Sequence, residues 1–200
     1  MDIIKGDKVI KYEGNKNIKR LLSIVLLFLL SAFTSGYKTL DTFVIDATKN
    51  AYFHNNLGIN YMKEHCYYAA IQEFKIAISL NPNTQATAVY YNNIGDAYMA
   101  IGYPDMAQQP YEDAIKQYSL NLLYYQNLAK CYKAQNKIAE KITEYSKQNS
   151  PLNKVMVGIL YIENGDLKRG TVILDNFANS EPDLLITPAV KQYVKEITKK

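Results

Sequence analysis

Residues 51–82, AYFHNNLGINYMKEHCYYAAIQEFKIAISLNP, constrain this chain more than any other stretch. Leu57-Gly58 is followed by Tyr61, then by Ala70, Phe74, Ala77 and Pro82. Read as two helices, the order has a physical logic. Gly58 and Ala70 are small enough to let the helices approach closely, and Tyr61 and Phe74 fill the space around that contact. Ala77 leaves room for a following unit. Asn81-Pro82 stops the second helix, because the residue before a proline avoids helical geometry. One such pair cannot bury its own apolar face, so the pattern has to recur along the chain.

It recurs three times. Tyr91, Ile94-Gly95, Tyr98, Ala107, Tyr111 and Ala114 repeat the set, with Ser119 in place of the terminal proline. Tyr125, Leu128-Ala129, Tyr132 and Tyr145 form a third copy, with Lys141 where a small residue belongs. Val157-Gly158, Tyr161, Gly165-Asp166, Gly170, Leu174 and Pro182 form a fourth. Unit starts near residues 51, 88, 122 and 151 give spacings of 37, 34 and 29. The short last spacing predicts a truncated second helix in unit three, ending before Ser150-Pro151. The motif and its period of about 34 residues resemble the tetratricopeptide repeat. The resemblance implies an all-α helix–turn–helix solenoid of about four repeats over 51–182. Residues 183–200 are expected to add a C-terminal capping helix. There Thr187-Pro188 reads as a cap and first helical residue. Ile186, Val190, Tyr193, Val194 and Ile197 then recur at helical spacing, with Lys191, Lys195, Glu196, Lys199 and Lys200 outward.

Ahead of the array, residues 1–20 carry six Lys/Arg against three acids, leaving 17 against 16 for the remainder of a chain whose net charge is +4. The positive excess belongs to the tail, so composition argues against nucleic acid as a partner. Leu21 to Phe33 is a continuous apolar run, and uncharged residues continue to Tyr37. Such a length lies at the lower edge of the ~17–25 residues that span a bilayer. Two readings remain open: an uncleaved transmembrane anchor over 21–37, or a secretory signal segment cut near Thr34-Ser35-Gly36. Under both, Lys16, Lys19 and Arg20 hold the N-terminus on the cytoplasmic side and the repeats lie across the membrane. The anchor makes this a single-pass membrane protein; cleavage makes it secreted or periplasmic. Residues 38–50 read as a linker.

Candidate chemistry is sparse. His54 and His65 are the only histidines, and no Gly-rich phosphate loop, nucleophile elbow or metal-ligand spacing appears. His54, in the place of the usual large aromatic, reads as a packed or half-exposed ring. Cys66 and Cys131 lie about two repeats apart, beyond disulfide reach, and read as unpaired thiols packed between helices. Neither an enzyme nor a cofactor is expected. Pro110 falls inside the second helix of unit two, where it should remove a hydrogen bond and bend the axis.

What remains is binding. The resemblance implies that first helices line a concave groove that accepts a protein or peptide partner. Asn56, Asn93 and Asn127 stand at equivalent places just before the Leu-Gly pair, and an amide offers both donor and acceptor to a bound backbone. Asn55, Asn92 and Gln126 widen the polar strip, and Lys130 and Lys133 add positive charge at its far end. Replacing the three asparagines by alanine is expected to leave helix stability unmoved, alanine being the better helix former. One subfamily, the receptors for chaperone C-terminal tails, clamps a carboxylate with Lys and Asn, then Asn, then Lys and Arg. Here Asn55 and Ile59, Asn93, and Leu123 and Asn127 hold those places, so that activity is not expected. The function expected is a membrane-attached adaptor or scaffold for complex assembly, secretion or envelope maintenance. The alternative is an exported chaperone-like subunit that holds unfolded clients.

Overall fold

In a computed structural model of the chain, the structure describes residues 3–4, 9–10 and 50–199. The apolar segment Leu21 to Tyr37 and the linker over 38–49 lie outside the described residues. The tail departs from the all-α expectation in one detail. β1 (Ile3–Ile4) and β2 (Val9–Ile10) form a minimal antiparallel ladder that pairs Ile3 with Ile10 and Ile4 with Val9. From residue 50 onward the described chain is helical.

Unit one comprises α1 (Ala51–Lys63) and α2 (Tyr67–Leu80), and unit two α3 (Gln85–Ile101) and α4 (Pro104–Gln117). Unit three comprises α5 (Leu122–Ala134) and α6 (Ile138–Ser146), and unit four α7 (Pro151–Glu163) and α8 (Leu167–Ser180). α9 (Thr187–Thr198) follows. The glycines of the first helices sit where the paired helices approach, as expected, but what each meets first is the large residue of the second helix. A Cβ added at Gly58 would come within 2.5 Å of the Phe74 ring, and one at Gly95 within 2.5 Å of the Tyr111 ring. At Gly158 the obstacle is Leu174, at 2.6 Å. In unit three Ala129 takes the small place and is fully buried.

The turn inside each unit is also repeated. Its reversal falls on His65, Gly102, Asn136 and Gly165, all with left-handed φ between 59° and 92°. The next amide bonds back to the carbonyl of the repeated tyrosine, from Cys66 to Tyr61, Tyr103 to Tyr98, Lys137 to Tyr132 and Asp166 to Tyr161, at 2.8–2.9 Å. This is a six-to-one closure of the first helix. Glycine suits the left-handed residue in two units, and Asn136 tolerates it. His65 therefore has a structural place at a turn, where its Nδ1 lies 2.7 Å from the Tyr67 hydroxyl.

Connections between units repeat as well. The Thr87 hydroxyl donates to the Asn81 carbonyl, and the Thr187 hydroxyl donates to the Glu181 carbonyl, each across six residues. α9 thus enters as a further first helix would. Two details differ from the sequence reading: Ile186 is the cap, and Thr187 opens the helix with Pro188 behind it. Val190 and Val194 are buried against the array, whereas Lys191, Lys195, Glu196 and Lys199 are exposed. The last apolar face of the array is covered by a helix with a charged outer side.

α6 has 9 residues against 14 in each of α2, α4 and α8, as the short spacing predicts. Lys141, in the small-residue place, keeps its ammonium at the edge, 2.7 Å from Glu144 and 5.2 Å from the centre of the Tyr132 ring. The thiols differ from one another. Cys131 is fully buried, and burial pushes it up to about 11. Cys66 is exposed at the α1–α2 turn and so is not packed between helices. Pro110 lies within α4. Pro110→Ala should restore a hydrogen bond and raise the thermal midpoint by an amount equivalent to at most ~3 kcal/mol. A fall in midpoint on thermal melting would show that the proline ring itself is needed for packing.

Candidate functional site

α1, α3, α5 and α7 pack side by side more closely than α2, α4, α6 and α8 do. The first helices therefore lie on the inner, concave side, and the candidate polar residues sit along it.

The polar strip is not a row of independent rungs. Asn93 Nδ2 donates to Asn55 Oδ1 at 2.9 Å, and Asn127 Nδ2 donates to Asn92 Oδ1 at 3.0 Å. The offset is regular: the asparagine two residues before the small residue of one unit bonds the one three residues before it in the preceding unit. Asn127 Nδ2 also reaches Asp96 Oδ1 at 3.2 Å, and Asn92 Nδ2 donates to Asp96 Oδ2 at 2.9 Å. The Tyr111 hydroxyl completes the cluster with a 2.7 Å bond to Asp96 Oδ1. Burial pushes the Asp96 carboxyl up, against the opposing pull of the bonds from Tyr111 and Asn92 and of the Lys130 charge.

Asn55 and Asn92 are buried between first helices and are occupied by their neighbours. Asn93 and Asn127 are half-buried; Asn93 gives one amide hydrogen and Asn127 gives two to the preceding unit, and neither Oδ1 has a hydrogen bond among the described residues. Asn56 is half-buried and makes no hydrogen bond among the described residues. Gln126 lies beside Tyr193 of the capping helix and pulls against the upward push that burial gives its hydroxyl. Lys130 is exposed and has no ion pair among the described residues, while Lys133 lies 3.5 Å from Glu163. Of the two settings read for His54 the structure has the packed one: the ring is buried, with Nδ1 2.7 Å from Glu73 Oε2. Among the described residues no three His, Cys, Asp or Glu side chains gather where they could hold a metal ion.

Sequence reasoning missed two features. Asp96, the hub of the network, was indistinguishable from a surface acid. The other is an apolar row: Tyr52, Val89 and Leu123 are 69%, 40% and 47% exposed. They stand three residues before Asn55, Asn92 and Gln126, so each shares a helix face with its amides. Their equal spacing from the small residues was a readable signal, but an apolar residue in an amphipathic helix reads first as core. In unit four the places of the amides hold Val155 and Met156, both buried, so the open strip covers units one to three.

No family model matches the sequence, and no curated protein matches it. Solved structures similar to it include that of PilF of Pseudomonas aeruginosa, at 13% identity over 74% of this chain and 68% of that chain, with a TM-score of 0.46. Another is YrrB, described as a TPR protein with an unusual peptide-binding site, at 16% identity over 88% and 89% of the two chains and a TM-score of 0.42. A third is a thermophilic TPR protein of Thermus thermophilus, TTC0263, at 14% identity over 72% and 98% and a TM-score of 0.34.

Proposed function

We propose that this chain is a membrane-attached scaffold that holds an extended segment of a partner protein along its first-helix groove. The observation that carries the reading is the coincidence, on the first helices, of the exposed row Tyr52, Val89 and Leu123 with amide oxygens of Asn93 and Asn127 that have no hydrogen bond among the described residues. The apolar row offers buried area to side chains of the segment, and the amide row offers acceptors to its backbone N–H groups. Directly packed helices are ~8–10 Å apart. Successive apolar rungs therefore meet about every third residue of an extended chain that rises ~3.3 Å per residue. Lys130, exposed and without an ion pair among the described residues, adds positive charge that favours a segment with acidic character near unit three.

Attachment rests on the sequence of residues 16–37: a basic flank, then an apolar run. No helix among the described residues is long and apolar enough to cross a membrane. The test uses the full-length chain in carbonate-washed membranes. A partner cross-linked to it should be recovered, and Val89→Asp with Leu123→Asp should abolish recovery, because two carboxylates would be desolvated against the segment. Undiminished recovery with the double variant would displace the groove as the site. Release of a soluble species beginning near residue 37 would replace attachment by export.

A further inference from the structure

A pocket opens beside the second helices of units three and four, and its origin is the shortened helix of unit three. α6 stops at Ser146, five residues short of its counterparts. At ~1.5 Å per residue, roughly 7.5 Å of helix is absent from the row of second helices. In its place is a pocket of about 590 Å³ between the end of α6, the loop over 147–150, the start of α7, and α8. That volume is within the ~300–1,000 Å³ of ordinary ligand sites.

Its apolar lining is Tyr145, Val157, Ile173 and Phe177; Tyr145 and Ile173 are half-buried and present the open apolar surface, with the buried Val157 and Phe177 behind them. The rim carries two lysines, Lys147 and Lys154, and three amides, Gln148, Asn149 and Asn176. No carboxylate lines the pocket. Both lysines are exposed, and neither has an ion pair among the described residues. The nearby Glu144 is already held by Lys141 at 2.7 Å. The pocket thus has a place for one bulky apolar group and two unmatched positive charges above it.

We propose that this pocket binds a short segment of a partner protein in which one large apolar side chain is flanked by acidic residues. The two ammonium groups select the acids, and the apolar lining takes the apolar side chain. The amides decide between a peptide and an anionic lipid. Asn149 and Asn176 each offer a donor and an acceptor, which a peptide group uses and an acyl chain does not. The site is independent of the concave groove and would let the scaffold hold two partners at once.

The test is fluorescence anisotropy on the full-length chain in detergent, with labelled acetyl-Gly-Asp-Phe-Glu-Gly-amide as the probe. Saturable binding is expected. It should fall at least about tenfold when Ser replaces the probe's Phe, or when Lys replaces both acids. Lys147→Gln with Lys154→Gln should weaken binding several-fold at low salt and less at high salt. Ile173→Trp should fill the pocket and abolish it. Asn56→Ala, Asn93→Ala and Asn127→Ala together should leave it unchanged, which separates this site from the groove. If Ile173→Trp does not fold by circular dichroism, the lysine pair decides. Binding indifferent to the lysines, binding lost only in the asparagine variant, a pocket that takes decanoate but not the peptide, or no saturation by about millimolar probe would each overturn the proposal.

Discussion

Gly170→Leu should unfold the fourth unit. A Cβ at residue 170 would lie 2.4 Å from Ile162 Cγ1 and 2.6 Å from the carbonyl oxygen of Gly158. The second obstacle is backbone in the facing helix and cannot rotate aside. At Gly58 and Gly95 the obstacles are aromatic rings, which can shift at the ~1–3 kcal/mol usual for overpacking. Residue 170 has no such relief, so α7 and α8 must separate and expose Leu174 and Phe177, both fully buried now. The cost should therefore exceed the upper end of that range. Gly170→Ala is the sharper form of the test. In an ordinary helix interior this change stabilises by about 1 kcal/mol, whereas here it should destabilise. Thermal melting should rank Gly170→Leu as more damaging than Gly58→Leu. A Gly170→Ala variant with an unchanged or higher midpoint would mean that the α7–α8 crossing is wider than described.

The triple change Asn56→Ala, Asn93→Ala and Asn127→Ala should weaken partner binding about a hundredfold. Each neutral hydrogen bond nets ~0.5–1.5 kcal/mol, so single changes should cost several-fold and the three together two orders of magnitude if the losses add. The structure corrects the expectation that stability would not move. Asn93 and Asn127 tie adjacent units, and their removal leaves Asn55, Asn92 and Asp96 short of partners in a half-dry junction. A loss of roughly 1–3 kcal/mol follows from those stranded groups. Asn56→Ala separates the two effects, because Asn56 has no hydrogen bond among the described residues. It should lower affinity, by titration with the recovered partner, at an unchanged melting temperature.

The register of the repeats was legible because it rests on size at fixed places: Gly58 against Phe74, Gly95 against Tyr111, Gly158 against Leu174. Size pairing within a unit is set by the geometry of two adjacent helices, and sequence spacing reports it directly. The shortened α6 was legible for the same reason, since Ser150-Pro151 fixes where the next unit must begin. The asparagine bonds were not legible. They depend on how far each unit is rotated against the last, and that rotation decides that Asn93 meets Asn55 rather than Asn56. Gln126 was read as a groove residue because nothing in the spacing showed that Tyr193 of α9 would reach it. The pocket beside α6 stayed hidden because the repeat motif assigns no place to Ile173, and spacing along the chain does not show what faces the end of a shortened helix.

The central claim is that a partner segment lies along the first helices of units one to three. A photo-reactive phenylalanine analogue placed singly at Val89, at Leu123 and at Val172 of the full-length chain tests it most directly. All three residues are exposed, but Val172 belongs to α8, outside the groove. Irradiation in membranes should join one and the same partner to the chain from Val89 and from Leu123, and not from Val172. Cross-linking to that partner from Val172 alone would contradict the account.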